Sequence, residues 1–100
     1  MQYNKLVRDR IPEIIEAKGQ TSKTHIADEK EYWDKLKEKL GEETKEFFKD
    51  ESVEELADLI EVVEAIKKFK NIDSQILENV RLEKFAKRGG FEKRIILEES

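Results

Sequence analysis

Two long stretches of helical periodicity, joined by a short turn, constrain the fold of this chain most strongly. In the first stretch the apolar residues recur at the spacing of one helix face: Trp33, Leu36, Leu40 and Phe47. Asp28 is a typical N-cap for this helix, which we expect to run to about Lys49. The turn Lys49-Asp50-Glu51 follows, and Ser52 caps a further helix from Val53 to about Lys70. Because so short a turn reverses the chain, the pattern predicts an antiparallel helical hairpin.

The composition limits the core that this chain can build alone. Of its 100 residues, 37% are hydrophobic and 44% are charged, which leaves little apolar surface for a stand-alone domain. We therefore expect a single domain, residues 1–100, whose core is completed in a homodimer or homotetramer. Helix-forming residues are abundant, whereas Gly (4) and Pro (1) are rare, so the fold class is predicted to be all-α.

Charge and residue usage exclude several classes of function. The net charge of −4 argues against a protein that binds a nucleic-acid polymer. The chain has no cysteine, which excludes disulfides, thiolate zinc sites and cysteine nucleophiles. It contains no apolar run of membrane-spanning length and no signal-peptide core. We expect a cytoplasmic protein without a membrane partner.

A shorter helix is predicted before the hairpin. Residues 3–18 begin extended and become helical around Ile11 and Pro12, because proline at a first helical position loses no needed hydrogen bond. Gly19 supplies the stop. Residues 20–27 then form a Thr- and Ser-rich loop with one β-branched apolar position.

The segment after the hairpin predicts a fourth helix and a minor strand. A break at 71–74 precedes a helix over about 74–88, which Gly89-Gly90 ends. Residues 95–97 are a short strand candidate, which would pair with 24–27 in a two-stranded β-ribbon. The predicted architecture is thus a helical hairpin with flanking helices.

Two pairs of acids lie on either side of the turn. Glu43 and Glu46 precede it, whereas Glu55 and Asp58 follow it, and residues three apart on a helix share nearly one face. Since Glu46 and Glu55 are about equally far from the turn, and Glu43 and Asp58 are one helical turn further, the two pairs should lie level across the hairpin. On a helical wheel Glu43, Glu55 and Asp58 project among apolar residues, with Glu46 at the border of the stripe.

Four acids close together on packing faces are costly unless something compensates their charge. A hard divalent cation would do so, and an all-oxygen ligand set favours Mg²⁺ or Mn²⁺ over zinc. Simpler interpretations stay open for single residues. Glu55 completes a capping box with Ser52, and an acid such as Glu42, taken alone, is typical of a solvated helix face.

The segments LGEETKEF and EELADLIEVV resemble the ExxE and ExxD signatures of the all-α nucleoside triphosphate pyrophosphohydrolase superfamily. The KLGEE wording is closest to the phosphoribosyl-ATP branch, while YNKLVRDRIPEII and KRGGFEKRIILEE resemble a MazG-like subgroup, so the likeness covers most of the chain. One departure is the interval between Glu46 and Glu55, which is shorter than in typical MazG domains. It implies a different substrate pocket around a similar metal site.

The resemblance implies hydrolysis of a nucleoside triphosphate to the monophosphate and pyrophosphate, in a house-cleaning role. It makes Glu43, Glu46, Glu55 and Asp58 the Mg²⁺ ligands. It also makes Glu42 and Glu43 catalytic, with Glu42 orienting or deprotonating the attacking water. Such chemistry requires neither histidine nor cysteine.

Cations should reach the polyphosphate, and we expect Lys5, Arg8, Lys84 and Arg88 to do so. The glycines after Arg88 would let backbone amides approach a phosphate. Alternatively, Lys84 and Arg88 balance the helix dipole beside a plain glycine C-cap, and Arg8 pairs with Asp9 to fix the N-terminal arm.

Two other functions stay open at this point. The first is hydrolysis of phosphoribosyl-ATP in histidine biosynthesis. The second is a non-enzymatic helical oligomerisation module, in which the acids only solvate a surface. For Tyr32 and Trp33 we expect core packing rather than stacking on a base.

Overall fold

The computed structural model describes residues 4–100 and is helical wherever it is regular. Four helices follow in order: α1 (Ile11–Ala17), α2 (Glu29–Asp50), α3 (Val53–Phe69) and α4 (Ser74–Arg88). The predicted all-α class is confirmed, and each helix begins and ends close to its predicted bounds. Across the described range, none of these helices combines the length and the apolar character that a membrane span requires.

Side-chain caps fix where the two hairpin helices begin. The Asp28 carboxylate accepts a hydrogen bond from the Glu31 amide at 2.8 Å, and the Ser52 hydroxyl accepts one from the Glu55 amide at 3.2 Å. Both caps satisfy amides that have no partner within the helix. Only two residues, Glu51 and Ser52, separate α2 from α3, so the helices return antiparallel and pack along their length. The predicted hairpin is confirmed.

Apolar packing is concentrated between these two helices. Leu36 and Val62 are the buried hydrophobic residues of the described chain. At the end away from the turn, the Trp33 ring stacks on Phe69 with centroids 5.5 Å apart, and Tyr32 meets Phe69 edge-on at 5.4 Å. Tyr32 and Trp33 therefore belong to the packing face, as predicted.

The N-terminal arm runs beside the hairpin. Residues 4–10 are irregular and lead into α1, whose first turn is closed by the Ile11 amide donating to the Arg8 carbonyl at 3.0 Å. Gly19 ends this segment with φ +80°, a conformation that favours glycine. Tyr3, the first residue of the predicted arm, lies outside the described residues.

α4 makes no extensive packing contact with the other helices in the described part of the chain. Asp73 caps its start, and Gly89 (φ +79°) ends it by donating its amide to the Phe85 carbonyl at 2.7 Å. The molecule is accordingly elongated, 56 × 31 × 23 Å. One chain therefore has a two-helix layer and no closed four-helix bundle.

The predicted β-ribbon is wrong. Residues 24–27 and 95–97 are both irregular within the described chain. Arg94 takes a left-handed φ of +57° and redirects the tail, while Ile26 and Ile96 remain 94% and 82% exposed. A short apolar run carries no information about its partner strand, and a two-stranded ribbon without a covered face is marginal in water.

Candidate metal centre

Three carboxylates converge across the hairpin. Glu43 comes from the second half of α2, and Glu55 and Asp58 come from the first half of α3. Each offers one oxygen, and these three oxygens all lie within 4.8 Å of one another. The Ser52 cap places Glu55 in the first turn of α3, and Asp58 follows one turn later on nearly the same face. The predicted level arrangement thus brings these three acids together.

The cluster is partly withdrawn from solvent and strongly negative. Glu43 is only 9% exposed, and it is the buried charged residue of the described chain. The pKa of Glu55 is raised from its ordinary value, first by partial burial and then by the negative charges of Asp58, Glu46, Glu43 and Asp50. Carboxylates so close to one another resist simultaneous ionisation unless a cation joins them. A set of carboxylate oxygens suits Mg²⁺ or Mn²⁺.

Glu46 lies at the edge of this cluster rather than inside it. Its side chain is exposed, although its charge contributes to the raised pKa of Glu55. The wheel projection, which put Glu46 at the border of the apolar stripe, agrees with this exposure.

Two cations neutralise the acids in this structure. The Arg8 Nη2 donates to Asp58 Oδ1 at 2.7 Å, and Lys39 Nζ lies 3.4 Å from Glu43 Oε1. The predicted alternative that Arg8 pairs with Asp9 is wrong, because the arm crosses the hairpin and presents the guanidinium to α3. The contact links the N-terminal arm directly to the acidic cluster.

Lys39 was not predicted from the sequence. It stands three residues before Glu42 and four before Glu43, and its Nζ also lies 3.6 Å from Glu42 Oε1. Residues at these spacings on one helix are neighbours, so the spacing was a usable signal. Its side chain is only 21% exposed, so the ammonium lies beside the two acids and is partly shielded from solvent.

A cleft of about 390 Å³ opens between the arm and the hairpin. Its polar lining includes Glu43, Asp58, Arg8 and Lys39, and its apolar lining includes Leu36. Ligand pockets for small molecules begin at roughly 300 Å³. The cleft therefore joins the acidic cluster to a space of suitable size.

The other predicted residues fall into two groups. Lys5, Glu42 and Glu46 line a second depression of about 370 Å³, where Lys5 Nζ lies 3.7 Å from Glu42 Oε1. Lys84 and Arg88 lie on α4 and line neither space. A single chain does not bring these two cations to the carboxylates, because α4 makes no extensive packing contact with the hairpin within the described residues.

Comparison with known proteins shows a partial likeness. An uncharacterized protein from Mycolicibacterium smegmatis is 51% identical over 41 residues, which is 41% of this chain and 42% of that protein. The chain therefore spans less than half the length of this relative. No protein-family model matches, and no solved structure is similar.

Proposed function

We propose that this protein is a Mg²⁺-dependent nucleotide pyrophosphohydrolase, which cleaves a nucleoside triphosphate to the monophosphate and pyrophosphate. The observation that carries the proposal is the convergence of Glu43, Glu55 and Asp58, whose carboxylate oxygens lie within 4.8 Å of one another. Two of them, Glu43 and Asp58, line the cleft. The likeness of their two segments to the ExxE and ExxD signatures gives the reaction class. No other cluster of potential metal ligands of this size occurs among residues 4–100.

The donor set fits the ion. Glu43, Glu55 and Asp58 supply only carboxylate oxygens, the ligands that Mg²⁺ and Mn²⁺ prefer. Glu46 would be the fourth ligand, since its charge already acts on Glu55. A bound ion would neutralise charge on the phosphoryl oxygens and help to position water.

The remaining residues have roles that follow from their charges and places. Arg8 and Lys39 line the cleft beside the acids and would bind the polyphosphate. Glu42 would orient the attacking water and accept its proton, with Lys5 and Lys39 holding its carboxylate. Water forms the new bond to the α-phosphorus, the bridging bond to the β-phosphate breaks, and pyrophosphate leaves. Lys84 and Arg88 would act on this site only from another copy of the chain.

The proposed setting is the cytoplasmic nucleotide pool, where a homo-oligomer removes unwanted triphosphates. A substrate panel separates this role from phosphoribosyl-ATP hydrolysis. The full chain is incubated with Mg²⁺ and each of the canonical triphosphates, several modified triphosphates and phosphoribosyl-ATP, and pyrophosphate release is measured. Release from triphosphates but not from phosphoribosyl-ATP supports the house-cleaning role. Preference for phosphoribosyl-ATP assigns the biosynthetic one.

A pair of variants tests the site itself. Glu43→Gln removes a charge from the cluster, and we expect pyrophosphate release to fall by at least about 100-fold, the scale of a lost metal-site contact. Glu38→Gln is the matched control, because Glu38 lies on the same helix outside the cluster and should retain activity. If the wild type releases no pyrophosphate from any nucleotide with Mg²⁺ or Mn²⁺, the proposal fails.

A second candidate function is a non-enzymatic helical oligomerisation module. The ion pairs of Arg8 with Asp58 and of Lys39 with Glu43 favour it, because these cations already balance two of the acids. Calorimetric titration with Mg²⁺ and Mn²⁺ discriminates between the two functions. A purely structural cluster gives no saturable heat, and Glu43→Gln is then silent in every assay.

A further inference from the structure

The N-terminal arm pairs with acids on both helices of the hairpin. Lys5 Nζ lies 3.7 Å from Glu42 Oε1 on α2, and Arg8 Nη2 donates to Asp58 Oδ1 on α3 at 2.7 Å. Glu42 is the sequence neighbour of Glu43, and Asp58 is itself one of the three converging acids. These two cations therefore tie the arm to both sides of the carboxylate cluster.

Few other contacts hold the N-terminal segment to the hairpin. Among the described residues, the backbone hydrogen bonds of residues 4–20 stay within that segment, and only α2 and α3 pack extensively against each other. Leu6 and Ile11 are half-buried, whereas Val7 and Ile14 are exposed. The arm is thus held by two ion pairs and by a few apolar side chains that remain partly open to solvent.

Both ion pairs can be broken easily. The side chains of Lys5 and Glu42, and those of Arg8 and Asp58, are all partly exposed. Water screens pairs of this kind, and ordering their long side chains has an entropic cost. A cation that binds the Asp58 carboxylate more strongly than the guanidinium does will therefore loosen the arm.

Arg8 has a second partner available when both proposed ligands are bound. A guanidinium and a divalent cation on one carboxylate repel each other, so Arg8 would leave Asp58. It lines the cleft beside Lys39, where the polyphosphate is proposed to bind. In the structure the guanidinium makes a single hydrogen bond to Asp58, whereas phosphate oxygens accept two parallel bonds from one guanidinium. The phosphate is therefore the stronger partner.

We propose that the arm has two anchoring positions, which the ligands of the site exchange. Without ligands, Arg8 anchors the arm to α3 through Asp58. When a divalent cation occupies the carboxylates, Arg8 leaves Asp58 and the arm loosens. A bound polyphosphate then anchors the arm again through the same guanidinium. This exchange rests on the proposed function, which supplies both ligands, and it sets an order of binding in which the divalent cation precedes the nucleotide.

Backbone order parameters from ¹⁵N NMR follow the arm in the unaltered chain. Val7 reports on the arm, and the buried Val62 of α3 is the internal reference. We expect the order parameter of the Val7 amide to fall from the rigid range, about 0.85, to below about 0.6 on addition of excess Mg²⁺. A non-hydrolysable triphosphate should then return it to the rigid range, while Val62 stays rigid throughout. A Val7 amide that is equally ordered with and without Mg²⁺ overturns the proposal.

Substitutions test the anchor itself. In Arg8→Gln the Val7 amide should be mobile without Mg²⁺ and should stay mobile with Mg²⁺ and the triphosphate analogue, because the anchoring guanidinium is absent. Asp58→Ala should also loosen the arm without Mg²⁺. Arg10→Gln is the matched control, since Arg10 pairs with Glu13 inside the N-terminal segment, and its Val7 amide should behave as in the wild type. A rigid arm in Arg8→Gln overturns the proposal.

Pyrophosphate release from a hydrolysable triphosphate, measured on the same preparations, distinguishes failure of the exchange from failure of the proposed function. Release by a protein whose arm keeps its order on addition of Mg²⁺ overturns the exchange and leaves the reaction standing. Loosening of the arm without any release contradicts the reaction and supports the displacement of Arg8 by the cation.

Discussion

Asp58 is held by the N-terminal arm through a single ion pair. The Arg8–Asp58 bond is 2.7 Å long, but the two side chains are 56% and 41% exposed. Pairs this exposed contribute less than about 1 kcal/mol, because solvent screens them and ordering the side chains has an entropic cost. If the proposed divalent cation binds at the cluster, displacing the guanidinium from Asp58 would therefore cost little.

Replacing Arg8 should separate ion binding from nucleotide binding. In Arg8→Gln the competing cation is gone, so we expect Mg²⁺ to bind more tightly in calorimetry while KM for the triphosphate rises about tenfold, the effect of losing one charged contact of roughly 1.4 kcal/mol. Arg81→Gln is the control, because Arg81 pairs with Glu78 on α4 and lines neither space. Weaker Mg²⁺ binding in Arg8→Gln would contradict this role.

The Glu55 carboxyl should make stability depend on pH. Its pKa is raised above the ordinary value of 4.5 by partial burial and neighbouring acids, so the folded protein holds this proton more tightly than the unfolded chain does. The stabilisation is full below that ordinary value and is lost as pH rises through the raised pKa. We expect wild type to lose free energy of unfolding relative to Glu55→Gln over this window, and urea denaturation at a series of pH values measures it. A pH-independent difference would contradict the assignment, and Mg²⁺ should reduce the loss.

At the residue scale, the sequence predicts the positions of the clustered acids better than it predicts the cations that pair with them. Glu43, Glu55 and Asp58 converge because helical spacing and the short turn fix their height and face. The Arg8–Asp58 contact was not predicted, because it depends on the path of an irregular arm that has no period to read. The separation of Lys84 and Arg88 from the cluster could not be predicted, because the helical pattern of α4 does not specify where that helix lies.

At the scale of elements, the start of α3 links helix stability to the site. The Ser52 hydroxyl accepts a hydrogen bond from the Glu55 amide. The same residue therefore ends the interhelical turn and orients the first helical turn of α3, which carries Glu55. The helices could be predicted because caps and apolar periodicity are local signals. The outcome for the β-ribbon could not be predicted in this way. Pairing between 24–27 and 95–97 depends on residues far apart in the sequence and on another element that covers one face of the ribbon.

Removing the Ser52 cap should weaken the hairpin. In Ser52→Ala the Glu55 amide loses its acceptor, and we expect the free energy of unfolding to fall by about 1 kcal/mol. Ser74→Ala is a matched control, because Asp73 and not Ser74 caps α4. Chemical denaturation followed by circular dichroism measures both. Equal effects for the two serines would argue against the cap.

At the scale of the whole molecule, the buried hydrophobic core is very small for a domain of this length. Leu36 and Val62 are the buried hydrophobic residues within residues 4–100, while many large apolar side chains on α3 and α4 face solvent. The sequence composition predicted this shortage, but it did not identify the faces concerned, because both helices also carry charges on their outer surfaces.

Stability should therefore depend on protein concentration. When folding is coupled to dimerisation, mass action raises Tm as the protein concentration increases. We expect thermal scans of the wild type to show this rise. Scans of Val80→Glu, which places a charge among the exposed apolar side chains of α4, should be independent of concentration at a lower Tm. A wild-type Tm that stays constant over a wide concentration range would contradict the coupling.

Leu36 and Glu43 lie two helical turns apart on one stripe of α2, and both line the cleft. Residues that pack the helices together and residues that would bind the metal thus share one stripe of α2. Few substitutions on that stripe would preserve both roles, so the paired helices have little freedom to vary during evolution. New substrate preferences would arise instead in the irregular arm, where residues 6–10 form the opposite wall of the cleft. Diversification within such a lineage should be sought there first.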